Sequence, residues 1–306
     1  HDPRVLRACA IIVDEGIAWP VLLGSRERLE SVLKTQEIDL DLDRIEIVNP
    51  REDSEAGHYA ELLHERRKRK GVTRELANQM MRDRNHFGMM MVAEGRVDGI
   101  VSGVSLSYPD VVRPALEIVG LRKGFKRLAG MYLMLHRSGI LFFGDTTVNV
   151  DVDAETLADI AEMVADEART FGVEPRVAML SFSNFGSVRH SRASRMATAT
   201  EILCKRRPDL EVEGEMQANI AVNYELQIAS FPATRLSGAA NVLIFPNLEA
   251  GNVAYKLMRE LGGIPAVGPV LLGTRRPVTI LERGSSVDGI VHMTALTVVN
   301  AQKSGS

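Results

Sequence analysis

The sequence has few cysteines and no apolar run long enough to cross a membrane. Its 306 residues include only two cysteines, Cys9 and Cys204, which lie far apart. Without a set of cysteines to pair, a reducing cytosol is the expected environment, so the predicted location is cytoplasmic. No apolar stretch approaches the ~20 residues of a membrane-spanning helix. The charged, amphipathic start is unlike a signal peptide.

The sequence also lacks a large net charge of either sign, and it lacks two kinds of binding motif. The net charge is −3 and the pI is about 6.2, so nucleic acid is not an expected partner. No cluster of His, Cys and carboxylates has zinc-like spacing, so no metal site is predicted. No Gly-x-Gly-x-x-Gly fingerprint follows a predicted strand, which argues against a nucleotide-binding Rossmann domain in this chain.

Helical and strand patterns alternate along the chain, which predicts an α/β fold with a largely parallel sheet in each half. The length is sufficient for two domains. A long helical region is predicted from about residue 54 to 94, where the methionines of GMMMVAEG fill the core. Strands are predicted at PVLLG, IEIV, DGIVSG, VAMLSFS, LEVEGEM and NVLIFPNL, and RLAGMYLMLHRSGILFFGD is predicted to form two adjacent strands with a turn at residues 137–139.

The most notable candidate site is the loop at residues 181–195, which follows a predicted strand and leads into a helix. Backbone N–H groups, hydroxyls and arginines at such a position are typical of a phosphate-binding turn. The same residues are typical of a Ser/Asn-rich N-cap loop, which is the favoured interpretation on the loop alone. The candidate ligands here are Ser181, Ser183, Asn184, Gly186, Ser187, Arg189 and Arg192.

Three other loops carry candidate residues at predicted carboxyl ends of strands, where α/β sheets bind ligands. Arg113 follows the DGIVSG strand and suits either a site or a surface ion pair. Asn247 and Asn252 flank a glycine after NVLIFPNL. The last loop opens the stretch LERGSSVDGIVHMTALTVVNAQ, where the carboxylate Glu282 precedes Arg283.

Several of these stretches together resemble one family. DGIVSGVSLSYPDVVRPALEIVG, GDTTVNVDVDAETLADIA, EPRVAMLSFSNFGS and GPVLLGTRRPVTILERG are similar to the motifs of phosphate acetyltransferases, within the phosphate acetyl/butyryl transferase family. The resemblance extends from about residue 85 to 302. SNFGS, GEMQ and IVHMTALTVVNAQ look more like the acetyltransferase-like C-terminal domain of bacterial NADP-dependent malic enzymes.

The resemblance implies a phosphate acetyltransferase-like architecture, also described as an isocitrate dehydrogenase-like fold. Two α/β domains with mainly parallel sheets and an interdomain cleft are then expected. Residues 1–135 with 282–306 would form the first domain, and residues 136–281 the second. Malic and NADP-binding domains would be absent from this piece, and the start at His1 fits a segment cut from a longer chain.

The same resemblance implies that the chemistry is lost. In the family, the last loop reads Leu-Ser-Arg-Gly and soon afterwards carries an Asp. The Ser position falls on Glu282, the Arg on Arg283 and the Asp on Gly289. Asp288 is one residue early, which on a helix rotates the side chain by roughly 100°. Losing a catalytic base typically costs about 10²–10⁴ in rate, so no catalytic residue is expected.

The resulting expectation is a regulatory domain that binds acetyl-CoA, inhibits an NADP-dependent malic enzyme by feedback and supports its oligomerisation. Acetyl-CoA would place its phosphates at residues 181–187 and its thioester end near Arg283. Acetyl-CoA or CoA, upstream malic enzyme domains and further copies of the chain, dimerising through this segment, are the expected partners. No cofactor is expected in this segment, whereas NADP and a divalent metal belong upstream. One alternative is an active phosphate acetyltransferase using Asp288 and Arg283, and another is a purely structural oligomerisation domain.

Overall fold

A computed structural model describes residues 2–304 of the chain. Helices and strands alternate along it. The helices are α1 Pro3–Asp14, α2 Arg26–Thr35, α3 Ala56–Arg67, α4 Arg74–Met80, α5 Arg84–Ala93, α6 Tyr108–Pro114, α7 Ala154–Thr170, α8 Ser191–Arg206, α9 Ala218–Val222, α10 Tyr224–Ser230, α11 Leu248–Glu260 and α12 Val287–Ser304. The strands are β1 Val21–Leu23, β2 Glu46–Val48, β3 Ile100–Ser102, β4 Ala129–His136, β5 Gly139–Gly144, β6 Arg176–Leu180, β7 Glu211–Met216, β8 Val242–Ile244, β9 Ala266–Leu272 and β10 Val278–Ile280.

The chain forms two compact units. The first contains the residues up to Lys123 and those from Thr274 onward, and the second is Gly124–Gly273. Both boundaries between the units lie earlier in the chain than residues 135 and 281, where the family resemblance placed them. The reason is strand pairing: β4 pairs with β5 and β9 inside the second unit, whereas β10 pairs with β3 inside the first.

The first unit contains two parallel strand pairs, β1 with β2 and β3 with β10. Helix α5 supplies much of its core, because Phe87 and the three methionines Met89, Met90 and Met91 are almost fully buried. The prediction that these methionines fill the core is confirmed. The ring of Phe87 lies 5.2 Å from that of Tyr59 on α3, measured between centroids.

The long helical region predicted from residue 54 to 94 is in fact three helices, α3, α4 and α5. Gly71, with a φ of 86°, ends the first part in a left-handed turn. Thr73 and Asp83 then start new helices, since their side chains accept hydrogen bonds from the first-turn N–H groups of α4 and α5. Such caps stabilise a helix start by about 0.5–2 kcal/mol, so each of them marks the start of a separate helix.

The second unit is built on a six-stranded sheet in the order β7-β6-β8-β5-β4-β9. The pairs β7–β6, β6–β8 and β8–β5 are parallel, and the pairs β5–β4 and β4–β9 are antiparallel. The predicted α/β fold with mainly parallel sheets is confirmed, as is the turn between β4 and β5. Strands β9 and β10 and the short helices α9 and α10 were not predicted.

Helices α7 and α8 pack on one another in the second unit, and ion pairs join them on the outside. Arg206 on α8 pairs with Glu155 and Asp159 on α7, at 2.9 and 2.6 Å. Arg207 pairs with Asp166 of α7 at 2.8 Å. In the part of the chain that the structure describes, no helix is long and apolar enough to span a membrane.

Candidate functional site

Two loops of the first unit start side by side because their strands are parallel neighbours. Strands β3 and β10 pair in register up to Ser102 and Ile280. The N–H of Leu281 then donates to the carbonyl of Ser102 at 2.7 Å. Gly103 has a φ of 123°, and a Cβ there would lie 2.4 Å from the carbonyl oxygen of Leu281. Only glycine therefore fits where the two loops, residues 103–107 and 281–286, leave the strands.

Arg283 lies exposed on the second of these loops, and its backbone is held in place. The loop makes a turn in which the N–H of Ser285 donates to the carbonyl of Glu282 at 3.0 Å. Arg4 on α1 donates to the carbonyls of Arg283 and Ser285 at 2.9 and 3.0 Å. The Nε of Arg283 donates to the carbonyl of Leu106 at 3.3 Å, so the guanidinium group lies beside the first loop.

A second predicted cation lies in the same neighbourhood. Asp110 forms a capping box with Ser107 at the start of α6. The pKa of Asp110 lies below its usual value, first because Ser107 donates side-chain and backbone hydrogen bonds to it and further because Arg113 and Arg283 are close. Arg113 and Arg283 are 170 positions apart in the sequence, and both lie close to the carboxylate of Asp110. The first-unit loops and α6 therefore combine two arginines with several hydroxyls.

Helix α12 starts at these loops. The hydroxyl oxygen of Ser286 accepts a hydrogen bond from the N–H of Gly289 at 3.1 Å, which caps the helix. Asp288 is exposed in the first turn. Gly289 has little room for a side chain, because a Cβ would lie 3.3 Å from that same serine oxygen. In this chain Asp288 therefore provides the carboxylate at the helix start.

In the second unit, the loop after β6 is folded around a carboxylate. Glu215, at the end of β7, is 3% exposed, and Ser183 is fully buried beside it. The hydroxyl of Ser183 and the N–H of Gly186 both donate to Oε1 of Glu215 at 2.8 Å. The positive φ of 47° at Phe185 turns the chain around this oxygen, while the N–H of Phe185 donates to the Glu215 carbonyl.

Other N–H groups of this loop are also paired. The N–H of Ser181 donates to the carbonyl of Met216 at 2.8 Å. The N–H of Asn184 donates to the hydroxyl oxygen of Ser187 at 3.0 Å, and the N–H of Ser187 donates to the carbonyl of Asn184 at 3.0 Å. A phosphate could use the N–H of Gly186 or the hydroxyl of Ser183 only by displacing the Glu215 carboxylate. Phosphate binding by this loop stays a prediction, and it depends on arginine side chains.

Those arginines lie at the start of α8, which begins three residues earlier than residue 194, where the sequence suggested it. His190 caps the helix, since its Nδ1 accepts from the N–H of Arg192 at 3.2 Å. Arg189 and Arg192 are exposed there. Arg189, His190 and Glu215 line an open cavity of about 470 Å³ together with five small or apolar neighbours, Gly186, Val188, Ser191, Ser194 and Ala197.

Asn247 and Asn252 have structural contacts in the second unit. Asn247 caps α11, where its Oδ1 accepts from the N–H of Ala250 at 2.9 Å. The Nδ2 of Asn252 donates to the carbonyl of Thr146 at 3.2 Å and ties α11 to the loop after β5. These bonds account for both residues without a ligand, and their predicted ligand contacts stay predictions.

The loop after β5 contains a functional candidate that the site prediction missed. Asp145 is 4% exposed and accepts from the N–H groups of Gly130 and Thr147 at 3.0 Å and of Asn149 at 2.9 Å. Burial raises the pKa of Asp145, while these hydrogen bonds act against the rise. The sequence signal for Asp145 and Glu215 is their presence in GDTTVNV and GEMQ, two stretches that carry the family resemblance.

No metal centre was predicted, and the described residues contain no group of three or more His, Cys, Asp or Glu side chains that could hold an ion. The absence of a metal stays a prediction. The chemistry available in the first-unit loops and at the helix starts beside them is that of arginines, hydroxyls and carboxylates. These groups bind anions and accept protons.

A family model described as phosphate acetyl/butaryl transferase matches residues 1–298. The chain belongs to this family. It is 40% identical to a phosphate acetyltransferase of Thermoanaerobacterium thermosaccharolyticum over 308 aligned positions, which cover 98% of this chain and 93% of that protein.

Two solved structures agree with this membership. A phosphotransacetylase from Streptococcus pyogenes has a TM-score of 0.94 at 37% identity, covering 99% of this chain and 92% of that one. The EutD phosphotransacetylase from Staphylococcus aureus has a TM-score of 0.90 at 35% identity, covering 99% and 91%. The implied phosphate acetyltransferase-like fold is therefore confirmed.

The expectation of an inactive regulatory domain of a malic enzyme was wrong. The Thermoanaerobacterium relative is matched over 93% of its own length, which leaves no room in it for upstream malic and NADP-binding domains. Nothing in the family match or in these relatives supports oxidoreductase chemistry with malate, pyruvate and NADP. Glu282 and Gly289 differ from the family's pattern, and these two differences weigh little against a family match over residues 1–298.

Proposed function

We propose that the protein is a phosphate acetyltransferase, which converts acetyl-CoA and inorganic phosphate into CoA and acetyl phosphate, and catalyses the reverse reaction. The observation that carries this proposal is the match to a phosphate acetyltransferase over nearly the full length of both chains. The paired arginines of the first-unit loops support it, because the reaction needs cations for a phosphoryl group.

Arg283 is the proposed phosphate ligand. Its Nε is bonded to Leu106, which orients the planar guanidinium group. Nη1 and Nη2 have no hydrogen-bond partner within residues 2–304, so both can donate to one phosphate. Two parallel bonds of this kind fix the orientation of the anion as well as its affinity. Arg113 is the proposed second cation, since it shares Asp110 with Arg283.

Asp288 is the proposed general base. In the direction of acetyl-CoA synthesis, its carboxylate takes the proton of the CoA thiol. The sulfur then attacks the acetyl carbonyl carbon, a carbon–sulfur bond forms, and the bond between that carbon and the phosphate oxygen breaks. Arg283 neutralises the phosphate that leaves. Gly289 has no side chain for this role, and Asp288 precedes it directly on α12.

Acetyl-CoA and CoA are the proposed substrates, in place of the effector role first expected for acetyl-CoA. Arg189 and Arg192 are proposed to contact phosphate groups of CoA, because they are exposed cations at the start of a 16-residue helix. A helix N-terminus adds about 0.3–1 kcal/mol for an anion close to it. The cytoplasmic location remains a proposal that rests on the two unpaired cysteines.

The test is an assay of thioester formation from CoA and acetyl phosphate with the purified protein. We expect Arg283→Ala to lower kcat/KM about ten- to a hundredfold, because that is the free-energy contribution of a charge-assisted hydrogen bond to phosphate. Arg283→Lys should recover part of the activity.

Asp288→Asn should lower kcat and flatten its dependence on pH, because the proton acceptor is removed. Arg28→Ala, which removes an exposed arginine on α2, is the matched control. No turnover in the parent protein, or equal turnover in all variants, would refute the proposal.

A further inference from the structure

The start of helix α8 carries arginines that have no negatively charged partner. Arg189 precedes the helix, and Arg192 and Arg195 are in its first two turns. No ion pair within residues 2–304 includes any of the three. At the other end of the same helix, Arg206 and Arg207 both pair with carboxylates of α7. The arginines of α8 are therefore neutralised where the helix ends and left without a counter-ion where it begins.

Arg195 is the most constrained of the unpaired side chains. It is half-buried, and its Nη2 donates to the carbonyl of Pro246, in the loop after β8, at 2.9 Å. Its Nε is fully buried and has no hydrogen-bond partner within residues 2–304. Nη1 has no partner there either, but it is not buried, so it can donate to a group that approaches from solvent. A guanidinium group that is partly removed from water without a counter-ion raises the free energy of the folded protein.

The position of these arginines is unfavourable for two further reasons. The N-terminal end of a helix has a partial positive charge, which disfavours a cation there and favours an anion. Arg192 and Arg195 are three positions apart, so their side chains are neighbours on the surface of α8 and repel each other. The desolvated guanidinium group, the helix dipole and the repulsion between like charges are independent of one another. A bound anion relieves all three.

We propose that Arg192 and Arg195 form a binding site for a diphosphate group at the carboxyl ends of β6 and β8, where α/β sheets bind ligands. Arg195 offers Nη1 to one phosphate, and the exposed Arg192, one helical turn earlier, binds the next. Two cations at this spacing match two linked phosphate groups. In the loop after β6, Ser183 and Gly186 already donate to Glu215, so the arginine side chains hold the anion.

The first test is isothermal titration calorimetry with pyrophosphate as the probe. The parent should bind pyrophosphate, and Arg195→Met should raise the dissociation constant about tenfold or more, because a charge-assisted hydrogen bond is lost. Arg195→Lys should recover part of the affinity. Lys205→Ala removes an exposed cation from the far end of α8 and is the matched control, which should bind like the parent. A parent that does not bind pyrophosphate would overturn the proposal, as would unaltered binding by Arg195→Met.

Thermal melting separates a binding role of Arg195 from a purely structural one. Methionine keeps the length of the side chain but removes the uncompensated charge, so ligand-free Arg195→Met should melt at the parent's temperature or above it. Pyrophosphate should raise the melting temperature of the parent and not that of the variant. A lower melting temperature with unaltered pyrophosphate binding would assign Arg195 to structure alone, through its bond to Pro246, and overturn the proposal.

Kinetic measurements identify the source of the diphosphate group. CoA contains one, and this source rests on the proposed function. In that case pyrophosphate competes with acetyl-CoA, and Arg195→Met raises KM for acetyl-CoA about tenfold or more without changing KM for inorganic phosphate. If both KM values stay unaltered while pyrophosphate binding is lost, the ligand is a free diphosphate. An inactive parent that binds pyrophosphate through Arg195 would refute the proposed function and support the site.

Discussion

At the scale of single residues, Glu282 is the least expected feature of the first-unit loops. It occupies the position where the resembled family has a serine, directly before the proposed phosphate ligand Arg283. A carboxylate next in the sequence to the proposed ligand repels an incoming phosphate. We therefore expect the Glu282 side chain to weaken phosphate binding at the proposed site without abolishing the reaction, because it is neither the proposed cation nor the proposed base.

This leads to a prediction about Glu282→Gln. Removing the negative charge while keeping the side-chain shape should lower KM for phosphate about two- to fivefold, which corresponds to the ~0.5–1 kcal/mol of an exposed charge pair. The initial rate of acetyl phosphate formation, measured against phosphate concentration, gives this value. Glu15→Gln makes the same charge change at an exposed residue outside the loops and should leave KM unaltered. A higher KM in Glu282→Gln would mean that the carboxylate assists phosphate binding.

At the scale of elements, the loop after β6 depends on Glu215 for its conformation. Glu215→Ala would leave the buried hydroxyl of Ser183 and the N–H of Gly186 without their acceptor. A buried donor left unpaired costs about 1–3 kcal/mol, so we expect a lower melting temperature and faster amide hydrogen exchange at residues 182–188. Glu215→Gln keeps one acceptor oxygen and should lose less. Glu201→Ala, at an exposed position on α8, serves as the control, and unchanged exchange in Glu215→Ala would contradict this account.

The elements also show what the sequence could predict and why the rest was missed. Strands such as β6 and β8 are short apolar runs bounded by polar residues, so they were predicted close to their true positions. The breaks between α3, α4 and α5 were missed because Gly71 was not taken as a helix stop, nor Thr73 and Asp83 as caps that start new helices. In the site, Arg113 and Arg283 were found because their loops follow predicted strands, and the family resemblance also indicated Arg283. Both arginines lie near Asp110 because β3 pairs with β10. This pairing joins distant parts of the chain, so no local sequence pattern predicts it.

At the scale of the whole molecule, acid should weaken the ion-pair network of the second unit. Arg207 and then Arg169 donate hydrogen bonds to Asp209 and hold the pKa of its carboxyl well below the usual range. A carboxyl group whose pKa is lowered by folding stabilises the protein above its unfolded pKa near ~4, and this stabilisation is lost as the pH falls further. Asp209 is exposed, so its contribution at pH 7 is below ~1 kcal/mol.

We therefore expect the melting temperature to fall between pH 5 and 3, about the ordinary aspartate pKa, and to fall less steeply in Asp209→Asn. Differential scanning calorimetry across this range measures both slopes. Asp151→Asn removes an exposed carboxylate of the second unit outside this network and should follow the parent curve. If Asp209→Asn has the same slope as the parent, the network does not contribute to acid sensitivity.

The division of the first unit between the two ends of the chain has a consequence for synthesis on the ribosome. The second unit is continuous, so all of its strands have left the ribosome once Gly273 has emerged. The first unit must wait, because β3 obtains its partner β10 and α1 obtains its neighbour α12 only after residues 274–304 have been made. Until then α1 lacks its contact with α12 and β3 lacks its paired strand, although both precede the second unit in the chain. Of the two units, the one whose synthesis starts first is therefore completed last.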